Sequence, residues 1–512
     1  MNKLKSESPS SIEDHLAALY GRINYERQLK VTPRHFKLQN MREILRRLDD
    51  PHLKYPVIHV AGTKGKGSTC TMLGQVLTAS GRRTGVYTSP HLETIHQRMA
   101  IDGKLITDDQ LVNALATLWP VIDAMDAESV ETGFRPLTFF EITTAAAFLH
   151  FAAQKCDAVV LEVGLGGRLD STNVCQPTTC IITNISVDHT RQLGSTVDKI
   201  AFEKAGIIKD SIPVVSGAAD PLAAKVIAEV AADKNAQLFL LDQDFEITEE
   251  DQSDDHLFNF SGRVSLRSDQ QPRENQERCE SDSESDPAAK TNSTRTKADL
   301  VEDQDYKLND LKLGMLGHHQ RINAAITIAA IKTLNDRGWE ISEEAIRTGL
   351  SRASLCGRTE VLSQSPTIVI DMAHNDASIN ALVETLRDDL PSWKSSSKGT
   401  LILALSREKE ANKILKPLVA AFDEIVLTKY QDNPRGRCEA ELLELARAIQ
   451  TDLQSNSKPA AELRTAPDPQ TAWKSVASNL TTDKSVCITG SAFLVAELRN
   501  TVLAAMENKP SR

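Results

Sequence analysis

At 512 residues the chain exceeds one ordinary domain, and 40% hydrophobic with 25% charged residues is the composition of a globular protein. Aromatics at 4% and a net charge of −11 argue against base-stacking platforms and a phosphate-backbone partner, so no nucleic acid is expected, while a small anion can still meet an electropositive loop. The 8 cysteines form no CxxC pair, residues 1–16 lack a signal peptide's apolar core, and no apolar run reaches membrane-spanning length, so a cytoplasmic protein with reduced thiols and no membrane partner is expected.

In chain order, the β-branched runs 57–60, 158–161 and 180–183 read as buried parallel strands. Between them, 137–154 and 196–208 have helical length and spacing. This alternation predicts a mostly parallel, doubly wound α/β sheet. The rhythm breaks near Glu249, and 268–304 is mostly Ser, Asp, Glu, Gln, Asn, Lys and Arg. Such a stretch cannot offset its ordering entropy by burial, so a disordered surface insertion is expected. Order resumes near Leu311, with a helix over 320–334. After Gly357 a second alternating set has strands at 367–371, 400–405, 424–428 and 485–489. A boundary near Ser351 gives a larger domain, 1–350, and a smaller C-terminal α/β Rossmann-like domain, 351–512. No internal repeat is visible.

The most informative segment is Val60-Ala61-Gly62-Thr63-Lys64-Gly65-Lys66-Gly67-Ser68-Thr69. A buried strand precedes it and a helical pattern follows. Glycines there let backbone N–H groups converge on a phosphate, the helix N-terminus adds its dipole, and Lys66 reaches the β- and γ-phosphates. Gly62, Thr63, Gly65, Lys66, Gly67 and Ser68 are therefore the expected ATP-phosphate cradle. The loop departs from the usual Walker pattern, because Val60 stands at the first glycine and Gly67 separates Lys66 from Ser68. In that departure it resembles the Mur ligase superfamily, and in particular its folylpolyglutamate synthase and dihydrofolate synthase branch.

Further blocks resemble that branch in order. They are Thr88-Ser89-Pro90-His91-Leu92, the run from Leu161 to Asp170, Asn184 to His189, Glu203 to Lys209, His319-Gln320, Asn323-Ala324, Gly357-Arg358-Thr359-Glu360, Asp371 to Asn375 and Gly490-Ser491-Ala492-Phe493. The resemblance implies a P-loop domain followed by a C-terminal glutamate-ligase domain. It implies Ser89, Glu162 and His189 as magnesium ligands, which suits a hard cation completed by phosphate oxygens and water. It implies two magnesium ions and a carbamylated Lys204, where a solvated lysine beside Glu203 is the plain alternative. Asn323, Arg358 and Asp371 are assigned to adenine, phosphate and ribose, with a hinge salt bridge to Glu360 as the competing role of Arg358. Thr138, Phe140, Asp170 and Ser171 are assigned to the pteroate or folate end, although Phe140 also fits a core position. His374 and Ser491 are assigned to the incoming glutamate.

Several positions depart from the branch pattern, chiefly towards the glutamate and folate ends. Lys64 stands where asparagine is usual, Gln97 precedes Arg98 in place of glutamate, Met372 and Asp376 replace a glycine and a proline, and 406–410 lacks a clean Lys-Asp pair. The expected activity is an ATP- and magnesium-dependent ligase of folate biosynthesis, a monomer acting on small molecules. It activates a pteroate or γ-glutamyl carboxylate as an acyl phosphate, which the glutamate amine attacks. Lys66, Lys204, Arg358 and His189 are its expected catalytic residues. The alternatives are another Mur-type amide ligase of peptidoglycan precursors and a non-catalytic nucleotide-binding regulator.

Overall fold

The computed structural model describes residues 9, 11–24, 38–132, 135–188, 190–249, 257–266, 305–394, 399–431, 433–454 and 461–507. His189 and the whole of the expected insertion, 268–304, lie outside the described residues.

The first sheet contains β1 (Val57–Ala61), β2 (Thr84–Tyr87), β3 (Met99–Ile101), β4 (Lys104–Leu105), β5 (Ala158–Glu162), β6 (Pro177–Ile182), β7 (Val214–Ser216) and β8 (Leu238–Leu240). Their order across the sheet is β4-β3-β2-β5-β1-β6-β7-β8. All pairings are parallel except those of β3 with its two neighbours. Every residue of β1 and β5 is buried, which is why these strands read as unbroken apolar runs and not as alternation. In register, Val60 faces Glu162 on β5 and Ile181 on β6, so the carboxyl ends of all three strands open on the same edge. Ligands of open parallel sheets bind at that edge.

Helix Lys66–Ala79 packs on β1 and β5, and helix Glu343–Arg352 packs on it in turn. The approach is close at Gly349, where an added Cβ would lie 2.4 Å from Val76 Cα. Ile58, Val60, Leu73, Val76, Ala324, Ile328 and Leu350 form the core between this layer and helix His318–Asn335. Leu161, Phe148 and Phe151 belong to the core on the other face, under helix Phe139–Ala153.

The break expected near Glu249 holds more structure than its sequence indicates. β9 (Phe245–Glu249), β10 (Phe258–Gly262) and β11 (Tyr306–Leu311) form a separate antiparallel sheet in the order β11-β10-β9. Each strand has five or six residues; in β10 Phe258, Phe260 and Gly262 alternate inward, but in β11 the buried Leu308 and Leu311 are three residues apart. β9 pairs with the nearby β10, but Gly262 pairs with Tyr306 across the long polar segment, so the partner that orders β11 is remote in the sequence.

The third sheet has the order β12-β13-β17-β14-β15-β16, from β12 (Glu360–Gln364), β13 (Thr367–Ile370), β14 (Thr400–Leu403), β15 (Glu424–Leu427), β16 (Glu462–Thr465) and β17 (Ser485–Thr489). β12 alone is antiparallel to its neighbour. A helix of each half meets at Asp389, the last residue of helix Asp376–Asp389: its Oδ2 accepts from Gly317 N, which caps helix His318–Asn335, at 2.6 Å and from Arg321 on that helix at 3.3 Å. Among the described residues, no helix is long and apolar enough to cross a membrane.

Candidate active site

The phosphate loop leaves β1 and is fastened to the end of β6. Thr63 N donates to Asn184 O at 2.6 Å, Thr63 Oγ1 donates to Ser186 O at 3.2 Å, and Thr183 Oγ1 donates to Lys64 O at 2.6 Å. Two glycines are required by space as well as by conformation. Gly62 has φ +150° and Gly65 φ +88°, and an added Cβ would meet Thr183 Oγ1 at 1.8 Å or Asn323 Oδ1 at 2.4 Å. Gly65 caps helix Lys66–Ala79 without a side-chain acceptor, which leaves first-turn N–H groups for an anion. Asn323 is thereby brought to the loop from helix His318–Asn335, where its Nδ2 donates to Gln320 Oε1 at 3.0 Å.

Beneath the loop lie one buried carboxylate and one buried amine. Glu162 is the last residue of β5 and 4% exposed. Its Oε2 accepts from Ser89 N at 3.1 Å, and Lys66 Nζ stands 3.9 Å from Oε1. Burial pushes the Glu162 carboxyl up, with Lys66 and the Ser89 N–H opposing. Lys204 is also 4% exposed, and its Nζ donates to Gly62 O at 2.7 Å. Burial first, and then the Lys66 charge, lower the Lys204 amine to about 7, against the pull of Asp188 and Asp170. The solvated lysine of the plain alternative is therefore not what the fold makes of this position.

Just ahead of the Arg358 turn, Leu355 approaches Gly67, where an added Cβ would lie 3.4 Å from Leu355 Cδ2. Glu360 does not pair with Arg358; its carboxylate holds Arg499 at 2.6 Å and Gly357 N at 2.8 Å, so the hinge salt bridge of the sequence reading is not formed. Asp371 Oδ2 accepts from Thr359 N at 2.7 Å and Oδ1 from Ala373 N at 2.7 Å, so this carboxylate also fixes the turn that carries Arg358. His374 Nδ1 donates to Met372 O at 2.8 Å, which leaves Nε2 as an acceptor. Burial and then the charges of Lys409 and Lys64 lower this imidazole to about 4. Ser491 is buried, and its Oγ accepts from Phe493 N at 3.2 Å.

The four pteroate-end residues sit on two neighbouring elements. Thr138 caps helix Phe139–Ala153, with its hydroxyl donating to Glu141 Oε2 at 2.8 Å and accepting from Glu141 N at 3.2 Å. Phe140 is half-buried over Gly164, its ring 6.3 Å from that of Tyr87. Asp170 is buried and accepts from Thr172 N at 3.0 Å, Thr172 Oγ1 at 2.5 Å and Leu165 N at 3.0 Å, with Ser171 buried beside it. Burial raises the Asp170 carboxyl against these donors.

Sequence reasoning missed the groups that hold these residues. Thr183 pins the loop, and His59 Nε2 bonds Thr172 Oγ1 at 2.8 Å behind Asp170. Neither is marked by a local motif of its own, except that Thr183 directly precedes the Asn184 block. Among the described residues no group of three or more His, Cys, Asp and Glu could hold a metal. The donors present still suit magnesium, because Glu162 is a buried carboxylate directed at the phosphate loop and Ser89 lies on it.

Comparison with known proteins agrees over both halves. Residues 60–331 match the Mur ligase middle domain, and residues 357–501 match the C-terminal domain of dihydrofolate synthetase. The chain is 32% identical over 464 residues to the dihydrofolate synthase/folylpolyglutamate synthase of Bacillus subtilis, spanning 90% of this chain and 94% of that protein. Among solved structures it resembles the Mycobacterium tuberculosis folylpolyglutamate synthase complexed with ADP, with TM-score 0.75 and 27% identity over 96% of this chain and 98% of that one. It also resembles the E. coli FolC protein in complex with DHPP and ADP, with TM-score 0.73 and 26% identity over 97% and 99%. The match in sequence and fold runs nearly end to end, and the chain belongs to the dihydrofolate synthase/folylpolyglutamate synthase family of Mur-type ligases.

Proposed function

We propose that the chain is an ATP-dependent ligase that adds L-glutamate to dihydropteroate, to the γ-carboxylate of a (tetrahydro)folate, or to both. One observation carries the reading: the phosphate loop, the buried Glu162 and the buried Lys204 lie at one edge of the first sheet, and the Arg358 turn comes up to them, with Leu355 against Gly67 and the Arg358 charge acting on Glu162. A non-catalytic nucleotide binder has no need of a buried carboxylate and a buried amine beside its phosphates.

In this reading an acceptor carboxylate oxygen attacks the γ-phosphorus of ATP, and ADP leaves. The amine of glutamate then attacks the acyl carbon, the amide forms, phosphate leaves and the amine proton is released. The loop N–H groups, Lys66 and Arg358 neutralise the transferring phosphoryl group. Ser89 and Glu162, with His189, would hold magnesium, which supplies charge neutralisation on the phosphate oxygens. Asn323, Arg358 and Asp371 would hold the nucleotide. Thr138, Phe140, Asp170 and Ser171 would hold the pteroate end, with Asp170 accepting pterin N–H groups. His374, with Nε2 free to accept, and Ser491 would receive the amino acid.

Lys204 is proposed to carry a carbamate. Carbon dioxide adds only to a neutral amine, and burial lowers this one to about 7, so a substantial neutral fraction exists near neutrality. The modification would replace a cation under the loop by an anion able to support a second magnesium. The seven described cysteines all carry free thiols, which suits a reducing, cytoplasmic setting for a monomeric ligase. The test is ADP release with dihydropteroate and with tetrahydrofolate, each with and without glutamate, together with product mass. Release that ignores both acceptors and glutamate defeats the reading.

A further inference from the structure

Two loops from opposite domains meet at a distance from the Asp389 junction. The first, residues 88–98, follows β2 and carries Ser89. Within it Gln97 Oε1 accepts from Leu92 N and Glu93 N at 2.9 Å each, and Gln97 Nε2 donates to Glu93 Oε2 at 3.3 Å. Leu92 packs against the C-terminal core that contains Val486, Leu494 and Leu498. The second loop, residues 355–360, carries Arg358 between two clamps. Gly357 N donates to Glu360 Oε2 at 2.8 Å, and Thr359 N donates to Asp371 Oδ2 at 2.7 Å. Met372 N closes the same turn on Gly357 O at 2.9 Å.

Arg499, on helix Ala492–Glu507, touches both loops. Its Nη2 lies 2.6 Å and its Nε 3.0 Å from the Glu360 carboxylate, and its Nη1 lies 3.5 Å from Glu93 Oε1. The side chains of Arg499, Glu93 and Glu360 are 16%, 17% and 20% exposed, so the three charges are shielded enough to interact more strongly than a surface pair. The two-pronged contact with Glu360 needs a planar fork, which a lysine cannot supply.

We propose that Arg499 is a positioning residue for ligation: it bridges Glu360 and Glu93 across the cleft and so holds the Arg358 turn and the Ser89 loop in one register while the acyl phosphate exists. The proposal rests on the ligase reading, because it gives the bridge an intermediate to protect. Parting the domains breaks the Glu93 contact, and losing the bridge lets water reach the acyl phosphate before glutamate does. The signature is loss of coupling and not merely loss of rate.

The test uses full-length protein with Arg499→Ala, Arg499→Lys, Glu93→Gln and the Arg499→Ala/Glu93→Gln double variant. Phosphate release and amide product are measured separately, with circular dichroism to count folded protein. In Arg499→Ala, amide kcat should fall about tenfold, equal to ~1.4 kcal/mol of barrier, while phosphate released per amide rises above one. Arg499→Lys should restore only part of the coupling. Glu93→Gln should uncouple in the same direction but less, and the double variant should be no worse than Arg499→Ala, since both act through one bridge. A ratio that stays at one phosphate per amide in every variant, or a double variant whose losses multiply, overturns the proposal. Unmutated protein that makes no amide with any pteroate or folate acceptor overturns the ligase reading instead.

Discussion

The phosphate end of the site and the acceptor end are held in different ways. The loop at 62–68 is fastened largely through its backbone: Thr63 N to Asn184 O, Lys64 O to Thr183 and Gly62 O to Lys204. The acceptor end is fastened through side chains that hold one another. Asp170 is held by Thr172, Thr172 by His59, and Thr138 by Glu141, which is paired with Arg135 at 2.7 Å. A backbone-built cradle presents the same N–H groups whatever most of its side chains are, so it tolerates change except where a Cβ or a charge is at stake. A side-chain-built pocket can be retuned by single replacements. The departures from the family pattern agree with this division in part, since Gln97 and Met372 lie on the loops and turns around the cleft, although Lys64 lies in the cradle itself.

The largest expected effect tests whether a single charge matters in the backbone-built half. Lys66→Ala should lower kcat by about 10²–10³-fold, the cost of removing one preorganised group from a developing charge. Its one ion pair among the described residues is with Glu162 at 3.9 Å, so the thermal midpoint should stay close to that of the unmutated protein. Near-normal turnover would place the phosphates elsewhere.

Lys204 tests the join between the halves, because it bonds Gly62 O and feels both Lys66 and Asp170. Lys204→Ala should lose ligation by about 10²-fold and regain part of it with added acetate or formate, whereas Lys204→Arg should not respond, because its cation remains. The stability sign follows from the lowered amine. Below about pH 7 the lysine is charged both folded and unfolded, so the burial cost is present in full. From about 7 towards 10.5 the folded state sheds its proton first, and stability from this group rises with pH. Unliganded Lys204→Met should therefore gain most over the unmutated protein at pH 6, with the gap in thermal midpoint narrowing by pH 9. A gap that widens with pH would mean the buried amine is paired by a charge the fold hides.

A smaller effect belongs to Glu162. Glu162→Gln keeps an acceptor for Ser89 N but removes the charge, so the magnesium needed for half-maximal rate should rise about 10–100-fold, with kcat largely restored at saturation. Superimposable magnesium titrations would show that the metal does not rest on this carboxylate.

The two halves were not equally legible in the sequence. The strand, the glycines and Lys66 are adjacent in the chain, so the cradle could be read from ten residues. Glu162 and Ser89 were found through family blocks, and their contact is a consequence of β5 lying between β2 and β1 in the sheet order. Nothing local marks His59, Thr172 or Arg499, because each acts on a partner brought to it by the fold. Lys204 reads as a surface lysine in a helical pattern and becomes a buried amine only when helix Val197–Ala205 packs under the loop. The β9–β11 sheet was hidden for the same reason: each strand is too short to show its period, and β11 joins β10 only across the insertion.

That insertion carries the smallest expected effect and bounds the comparison from outside both halves. Its flanks are tied together: Gly262 pairs with Tyr306, and Arg263 Nε lies 2.7 Å from Asp305 Oδ1. Residues 264–266 run on past the strand, with Val264 and Leu266 buried, Ser265 O accepting from Gln237 at 2.8 Å and Leu266 N bonded to Asp336 at 2.8 Å. A deletion must therefore keep residues through 267 and return to 305 by a short turn; cutting back to 262 would strip two apolar side chains from the core. Removing 268–304 and joining the ends with a Gly-rich turn should leave kcat and KM for ATP unchanged. Closure entropy changes slowly with loop length, so the shorter loop should leave stability equal or slightly higher, by roughly 1 kcal/mol or less. Loss of ligation with the fold intact would tie the segment to the acceptor half, and loss of folding would mean that its polar sequence supports β10 and β11 in a way that composition does not reveal.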